Sequence, residues 1–401
     1  MPIDRLELSR QVGEVATYLD EQRGVFGARL RRALQAAHGL SEPDVFPGMR
    51  DRIETHRGTY SWLVPGLTEP LTTSIPPAPP PRNHIVLAVD GSQIEIDRDS
   101  PVDCYLINTG RVSIRYGDRP DAVIDSVPRI YYRSEELVIG GRRRPGQEHV
   151  VGSSVIAARR DTAEVSALAD MAERLPEGVP AIGLLDGSLT QWRISEADSA
   201  AHPEIRAEYL AALSRLQQVA QTRDFAVASY ISRPRAREVI NALRIAICPY
   251  ETPNCAAFCA DKAEGERPCD EVARVRDRDI FEGLLTEPGH RSAPFRSHAD
   301  EVKAYAEHAP HFFYTRTQRE LARVEVPQWS LERIDLLHAL LWNQIRLGDG
   351  YPVTLAEAHE EAVVRQDDRN LFRLLLEEEG LRLSIPDSVS AKSASKRSRS
   401  L

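Results

Sequence analysis

The sequence predicts an α/β fold: a mixed sheet flanked by helices, with a helical segment at the N-terminus and a helical part at the C-terminus. Three observations predict it. Two apolar, strand-like runs each end in the tripeptide Asp-Gly-Ser, beginning at Asp90 and at Asp186. Several strand patterns follow the first run directly, and helix and strand patterns alternate after them. A sheet that packs helices on its faces accounts for this order.

A long helix, a proline-rich connector and a series of strands make up the first part of the predicted structure. The helix at 4–38 has apolar residues at helical spacing. The connector at 65–81 is rich in proline and is expected to be extended. The predicted strands are 84–90, 102–109, 111–117, 121–126 and 129–133, with turn signals at Thr109-Gly110 and Gly117-Asp118.

Helices and strands alternate in the rest of the chain. A match to a capping box at Thr354 to Glu357 opens a helix that carries His359. The order of a strand with Asp, antiparallel strands, a helix and a second strand with Asp is the skeleton of a ribonuclease-H-like core, which we therefore expect. The other predicted helices are 153–175, 203–222, 235–247 and 330–347, and the other predicted strands are 180–186, 224–231, 311–316 and 322–326.

Composition excludes several classes of protein. No apolar run approaches the roughly 20 residues needed to cross a bilayer, and the N-terminus lacks the apolar region of a signal peptide. Five cysteines, an odd number in a chain without an export signal, argue against a disulfide framework. We therefore expect a soluble, cytoplasmic protein. The net charge of −9 does not exclude nucleic-acid binding. Physiological salt screens charges that lie far apart, so a local basic cluster such as 142–144 affects binding more than the net charge of the chain does.

The two Asp-Gly-Ser tripeptides are the first candidate for a functional site. In open α/β sheets, ligands bind just outside the carboxyl ends of the strands, where Asp90 and Asp186 are expected to lie together. Paired carboxylates suit a hard divalent cation, and a glycine beside each acid lets a metal or a phosphate approach the backbone. Ser92 and Ser188 can position a ligand or cap the next segment. The alternative is that each Asp-Gly is ordinary turn chemistry, in which the Asp bonds its own backbone.

Three further residues are candidates for the same site. Glu164, on the predicted helix 153–175, could supply a third carboxylate to a site with two cations about 3.5–4 Å apart, or could be a solvated surface residue. Pro352 sets the entry to the following helix and directs Tyr351 away from it. His359 could be a neutral metal ligand, a polar contact to a phosphate, or a structural histidine.

Taken together, these motifs resemble those of the NurA nucleases. The matching elements are Asp90-Gly-Ser, Glu164 in an Arg-x-x-x-Glu helix, Asp186-Gly-Ser-Leu, Tyr351-Pro and the helix that carries Ala-His359, and the resemblance spans about residues 84–372. It implies a ribonuclease-H-like fold, a homodimer, manganese-dependent cleavage of DNA, and partnership with a HerA-type hexameric ATPase that translocates DNA. In that family the enzyme resects DNA ends in double-strand break repair, with 5′-to-3′ exonuclease and single-strand endonuclease activities.

The resemblance also implies roles for individual residues. Asp90, Asp186 and His359 would be metal ligands, and Glu164 would be a further ligand or the group that orients water. Tyr351 would contact the phosphate or position the nucleophile. The metal would be Mn²⁺ or Mg²⁺, since oxygen-rich sites accept both.

One departure from the family pattern concerns contacts to the DNA. After the strand 224–231 the resemblance leads us to expect a lysine, and this chain has Arg233. Arginine keeps the positive charge and can bind a phosphate through two hydrogen bonds, so a phosphate clamp is still expected. A role in which the side chain must lose its proton is not expected, because arginine stays protonated. Ser92 and Ser188 are the other expected contacts to DNA or phosphate.

Four cysteines lie within 22 residues of one another, at Cys248, Cys255, Cys259 and Cys269. Four thiolates suffice for a structural Zn²⁺ or for an iron–sulfur cluster. Their spacing matches neither the usual paired C-x2-C zinc pattern nor the standard ferredoxin run, so four ordinary thiols are the alternative. Cys104 lies inside a strand pattern and is expected in the core.

The expected domain organisation has four parts. They are an N-terminal helical segment at 1–63, a proline-rich linker at 64–82, a NurA-like nuclease domain at 83–386 with a cysteine-bearing insertion at 248–279, and a disordered basic tail at 387–401. Two other functions remain open. Actin-like ATPases and sugar kinases also carry two strand-Asp-Gly turns that hold ATP phosphates, although their loops typically read Asp-x-Gly. A non-catalytic scaffold for a DNA translocase would use the paired acids as simple turns.

Overall fold

The computed structural model describes residues 4–60, 62–96, 102–139, 149–192, 202–263 and 265–382. The chain packs into two compact units, each built from separate segments of the sequence. The first unit comprises Met1–Pro77, Ile231–Ala304 and Ala309–Glu325, and the second comprises Ala78–Tyr230, Tyr305–His308 and Val326–Leu401. The predicted parts 1–63, 64–82 and 83–386 stay predictions, and the predicted tail 387–401 lies outside the described residues.

The predicted helices and strands all fall on observed elements. The helices are α1 (Arg5–Leu40), α2 (Phe46–Thr55), α3 (Ser134–Leu137), α4 (Ser153–Ala172), α5 (His202–Thr222), α6 (Glu238–Ala246), α7 (Cys255–Phe258), α8 (Asp277–Leu284), α9 (Ile334–Leu347), α10 (Val353–Ala362) and α11 (Gln366–Arg382). The strands are β1 (Gly66–Leu67), β2 (His84–Ile94), β3 (Tyr105–Tyr116), β4 (Asp121–Tyr131), β5 (Val138–Ile139), β6 (His149–Val150), β7 (Ala181–Asp186), β8 (Phe225–Ser232), β9 (Phe295–Arg296), β10 (Pro310–Arg316) and β11 (Leu321–Pro327).

The second unit is built on a mixed sheet with the strand order β8-β7-β2-β3-β4. The strands β2, β3 and β4 form an antiparallel meander, and β7 returns parallel to β2 and to β8. The helix α4 lies in sequence between β4 and β7, with the short β5–β6 pair before it. This is the ribonuclease-H-like order that the sequence predicts, and the prediction of the fold class is confirmed.

Two of the predicted strand breaks are wrong. Residues 102–109 and 111–117 contribute to one strand, β3, which runs through Gly110, and 121–126 and 129–133 contribute to one strand, β4. Pro128 is tolerated inside β4 because this strand lies at the end of the described strand order, where a missing N–H is easily accommodated. The turn at Gly117 is confirmed, with a φ of 104°.

The alternation of side chains along β2 decides which helix each residue meets. Ile85, Leu87 and Val89 pack into a core formed with buried residues of α4 and α5. Because successive side chains of a strand point to opposite faces, Asp90 and Ser92 point away from that core. They point to the face on which α10 packs against β2 and β3.

The first unit packs its helices against shorter strands. The last turns of α1 contribute Ala33, Ala36 and Ala37 to a core that also holds buried residues of α2, α6, α8 and β10. The strands follow the order β1-β9-β10-β11. Among the described residues, no helix has the length and apolar character that a membrane crossing requires.

Candidate active site

Asp90 and Asp186 lie at corresponding positions of two neighbouring parallel strands of the second unit. The register of β2 with β7 places each acid one residue beyond the last paired position. β7 ends at Asp186, whereas β2 continues beyond Asp90 to Ile94. The first Asp-Gly-Ser is therefore part of a strand. Only the second Asp-Gly-Ser begins a turn, in which Gly187 has a φ of 90°.

The Asp90 carboxylate is oriented by two hydrogen bonds. Its Oδ1 accepts from the backbone N–H of Gly91 at 2.8 Å, and its Oδ2 lies 2.7 Å from Nδ1 of His359. Because an ionised carboxylate can only accept, Nδ1 carries the proton, and Nε2 of the neutral ring is then an acceptor. The Asp90 side chain is 13% exposed and the His359 side chain is 59% exposed, so the pair opens to solvent on the imidazole side.

His359 reaches Asp90 because α10 lies directly against the backbone of β3. A Cβ atom at Gly110 would overlap the carbonyl oxygen of Ala358 and would lie 2.6 Å from the backbone nitrogen of Ala362. Glycine permits this approach because it has no side chain. The predicted turn at Gly110 is wrong for this reason: the glycine accommodates a helix and does not reverse the chain.

The C-terminal end of α10 is held by side chains from β2 and β3. Ser92 donates through Oγ to the carbonyl oxygen of Ala362 and accepts from the backbone N–H of Val364 at 3.2 Å. The amide of Asn108 donates to the carbonyl oxygen of Ala362 at 3.0 Å. Ser92 therefore anchors the helix that carries His359, and its expected contact to DNA stays a prediction.

The N-terminal end of α10 differs from the predicted one. The helix begins at Val353 after Pro352, and Thr354 lies inside the first turn without capping it, so the predicted capping box is wrong. The side chain of Gln344 on α9 instead accepts from the backbone N–H of Thr354 at 3.3 Å. A donor that the helix itself cannot satisfy is thus satisfied by a neighbouring helix.

Tyr351 is placed on Asp186 by ring packing and by a hydrogen bond. Its ring meets that of Tyr230 edge to face, with centroids 5.3 Å apart, and its hydroxyl donates to the Asp186 carboxylate. Asp186 is accessible to solvent at the strand end, yet the surrounding protein raises its pKa, first through burial and then through the negative charge of Asp90. The hydrogen bonds from Gly187 and Tyr351 and the nearby His359 oppose this increase.

Glu164 approaches the two acids from α4, on the other face of the sheet. It is 6% exposed, and a Cβ atom at Gly91 would lie 2.5 Å from its Oε1, so the carboxylate lies directly over the backbone of β2. The same Oε1 is 3.1 Å from Nε of Arg160. Burial and then Asp161 raise the pKa of Glu164 well above its usual value, Arg160 lowers it, and both strand acids raise it further. Glu164 thus lies close enough to both strand acids for their negative charge to disfavour its ionisation.

The chemistry of these donors fits a hard divalent cation. Burial and, after it, neighbouring negative charge raise the pKa of Asp186 and of Glu164, and a cation bound by carboxylate oxygens would relieve both effects. Among the described residues, no group of three or more His, Cys, Asp or Glu side chains is arranged to hold a metal ion. His359 is bonded to Asp90 through Nδ1, which leaves Nε2 as its possible ligand atom. Glu164 is paired with Arg160, so ligation by Glu164 would require it to leave that partner.

Two other predicted contacts lie on turns. Ser188 accepts from the backbone N–H of Thr190 and from Nε1 of Trp192, both at 3.0 Å, and so shapes the turn after β7. Arg233 follows β8, is exposed, and has a φ of 47°, in the left-handed region. It belongs to the first unit, and its role as a phosphate clamp stays a prediction.

The four clustered cysteines line one cavity of the first unit, together with Trp62 and Arg244. Nη2 of Arg244 donates to Sγ of Cys269 at 3.5 Å, and burial raises the pKa of this thiol. A structural Zn²⁺ or an iron–sulfur cluster at Cys248, Cys255, Cys259 and Cys269 stays a prediction. Cys104 is buried, as its strand pattern predicts.

Sequence reasoning named Gly110 and the arginine of the Arg-x-x-x-Glu motif, but it missed the contacts that hold the site in place. Arg160 had a readable signal, because it precedes Glu164 by four residues on a helix, the spacing at which opposite charges meet. Gly110 and Asn108 had none. Both act on a helix that lies far along the chain, so local patterns could not reveal them.

The model of the NurA domain family matches residues 84–364. The solved structures similar to this chain include LC9-RNase H1, a type 1 RNase H with the type 2 active-site motif, at 12% identity over 41% of this chain and 71% of that chain, with a TM-score of 0.20. They also include Drosophila Piwi, at 10% identity over 69% of this chain and 29% of that chain, with a TM-score of 0.25. No curated protein matches.

The family match covers both Asp-Gly-Ser strands together with Glu164, Tyr351 and His359, and it spans most of the chain. The structural likenesses are too weak at these TM-scores to carry an argument. The family match indicates a nuclease, and the chain belongs to the NurA domain family.

Proposed function

We propose that this protein is a DNA nuclease that depends on a divalent metal and hydrolyses phosphodiester bonds at Asp90, Asp186 and Glu164. One observation carries the proposal besides the family match. Three carboxylates converge at one edge of the sheet, and the pKa of Glu164 and of Asp186 is raised, first by burial and then by the negative charge of neighbouring acids, Asp90 among them. Such crowding of like charges is unfavourable unless a cation or a proton compensates it. If the two Asp-Gly-Ser segments were only structural turns, the fold would have no need to bring three carboxylates together.

The cation would be Mn²⁺ or Mg²⁺, held by Asp90 and Asp186, with Glu164 as a further ligand or as the group that orients water. When bound, such a cation lowers the pKa of water and stabilises negative charge on phosphate oxygens, and a site of three carboxylates has the donors for two cations. Glu164 would first have to leave Arg160, which would then be available to a phosphate.

His359 and Tyr351 would act from the α10 side. His359 keeps its Nδ1 proton on Asp90 and presents Nε2 to the substrate, where it can accept a proton from the attacking water or contact the phosphate. Tyr351 orients the Asp186 carboxylate through its hydroxyl and is itself held by the ring of Tyr230.

The finer features of the proposed function are those of the family. They are a homodimer, a HerA-type hexameric ATPase as partner, and resection of DNA ends with 5′-to-3′ exonuclease and single-strand endonuclease activities. Co-purification with that ATPase and the protein's mass in solution test the two assemblies. End-labelled and circular substrates separate the two activities.

The experiment that tests the proposal uses purified protein and labelled single- and double-stranded DNA, with Mn²⁺, with Mg²⁺ and with EDTA. We expect cleavage that requires the metal and that Asp186→Ala abolishes. ATP hydrolysis without DNA cleavage would instead favour an actin-like or sugar-kinase-type enzyme. Neither activity would favour a scaffold for a DNA translocase.

A further inference from the structure

A groove of about 470 Å³ in the second unit lies at the C-terminal end of β2, the strand that carries Asp90. Ile94, Glu95 and Ile96 line one side of it, and α11 lines the other. Asp90, Ser92 and Ile94 share one face of β2, because they are two residues apart on a strand. At roughly 3.3 Å per residue, Ile94 lies about 13 Å from Asp90, which is about four nucleotides of a stacked strand.

The α11 wall presents hydrogen-bond donors along one helical face. Gln366, Arg369, Asn370 and Arg373 all line the groove, at the spacing i, i+3, i+4 and i+7 that places residues on one side of a helix. Nη2 of Arg369 donates to the backbone carbonyl oxygen of Gln93 at 3.2 Å, so this wall is tied to β2 three residues after Asp90.

Arg373 is the side chain best placed to receive a ligand. Its Nε is buried and has no hydrogen-bond partner among the described residues, although it forms an ion pair with the Glu377 carboxylate at 3.7 Å. The acid that lines the groove, Glu95, is engaged on both oxygens, by Ser153 at 2.7 Å and by Gln93 at 3.3 Å. The lining itself thus carries two arginines against one carboxylate, and Glu377, which pairs with Arg373, lies outside it.

The rest of the lining is apolar. Phe372 and Leu376 extend from α11, and the other apolar lining residues are Ile94 at the end of β2, Ile96 just after it and Cys104 just before β3. A groove with cationic and amide donors on one part and an aromatic ring on another matches a nucleotide, whose phosphate is anionic and whose base has a π-face.

We propose that this groove binds single-stranded DNA about four nucleotides from the scissile phosphate, with a backbone phosphate at Arg373 and a base against Phe372. This inference rests on the proposed nuclease function, since it takes Asp90 as the position of the scissile phosphate. A single strand is the ligand because the bases of a duplex are already stacked and paired and cannot lie against the ring.

The test measures binding of fluorescent oligothymidylates of increasing length, in Ca²⁺, by the full-length protein and its variants. Arg373→Ala is expected to weaken binding several-fold and to lower the slope of log K against log salt by about 0.7, the value for one phosphate contact on a single strand. Phe372→Ala is expected to weaken binding about tenfold with the slope unchanged, because stacking is not ionic. Circular dichroism checks that both variants are folded.

Arg382→Ala is the matched control. Arg382 lies on the same helix, is 74% exposed, pairs with Glu379 at 3.0 Å, and does not line the groove. It should bind as the wild type does. If Arg373→Ala and Phe372→Ala behave like this control while the wild type cleaves DNA, the groove is not the binding site. If both variants lose binding as expected but the wild type cleaves no DNA in Mn²⁺, the groove stands and the proposed nuclease function fails.

Discussion

Replacing Gly110 by alanine should separate His359 from Asp90 without touching either residue. The new Cβ would overlap the carbonyl oxygen of Ala358 and would lie 2.6 Å from the backbone nitrogen of Ala362, where ordinary contact begins at 3.4 Å. Both neighbours are helix backbone and cannot rotate away. α10 must therefore retreat from the sheet by about 1 Å.

The expected loss follows from that displacement. Overpacking of this kind typically costs about 1–3 kcal/mol of unfolding free energy. Each kcal/mol lowers the melting temperature by about 2–4 °C in a domain of this size. A shift of about 1 Å in a positioned group can reduce the rate about 100-fold. The assay is kcat/KM for Mn²⁺-dependent cleavage of a single-stranded oligonucleotide, with thermal unfolding measured on the same samples.

Two controls make the result specific. Gly13 lies on the exposed part of α1 with nothing within 4 Å of a Cβ, so Gly13→Ala should leave activity unchanged and raise stability by about 0.5–1 kcal/mol. In a His359→Ala background, Gly110→Ala should cause little further loss of activity, since its effect acts through that histidine. Wild-type activity and stability in Gly110→Ala would refute the account of how α10 positions His359.

Three other predictions concern Ser92, the acids and the cysteines. Ser92→Ala removes both hydrogen bonds at the end of α10, so the free energy of unfolding should fall by about 1–3 kcal/mol. The affinity for DNA in Ca²⁺ should stay unchanged. A loss of DNA affinity with unchanged stability would instead show that Ser92 contacts the DNA. Because the pKa of Asp186 and of Glu164 is raised, Mn²⁺ must displace protons from these carboxylates when it binds. The affinity for Mn²⁺, measured by calorimetry, should therefore increase with pH. An affinity that stays constant between about pH 5 and pH 8 would contradict this. For the cysteines, metal analysis of protein purified anaerobically separates the two interpretations. Zinc, or absorption near roughly 400 nm from an iron–sulfur cluster, that Cys255→Ser loses would show a metal site. Metal-free wild-type protein would show four ordinary thiols.

The local features of the site could be predicted from the sequence because each is encoded within a few residues. The run that ends at Asp186 is a buried strand followed by a turn, and both properties are visible in its apolar residues and its glycine. The helix that carries His359 follows Tyr351-Pro352 directly. Such patterns predict whether a segment forms a helix or a strand. Most of the predicted helix and strand boundaries lie within a few residues of those observed.

What could not be predicted depends on contacts between distant segments. Gly110 was interpreted as a turn because glycine permits turns, whereas its function is to admit α10. Thr354 matched a capping box, but Gln344 from another helix satisfies its backbone N–H. The first Asp-Gly-Ser looked like the second, and only pairing with β3 shows that β2 continues through it. No local pattern indicates which distant partner an element will meet.

The central claim is that Asp90 and Asp186 together hold a divalent cation. Crystals of the full chain soaked in Mn²⁺ test it directly, through anomalous scattering measured at the manganese edge. The account predicts an anomalous peak bound by oxygens of both carboxylates, and no peak there in Asp186→Asn crystals treated in the same way. No peak at this sheet edge in wild-type crystals at saturating Mn²⁺, or an equal peak in the variant, would contradict it.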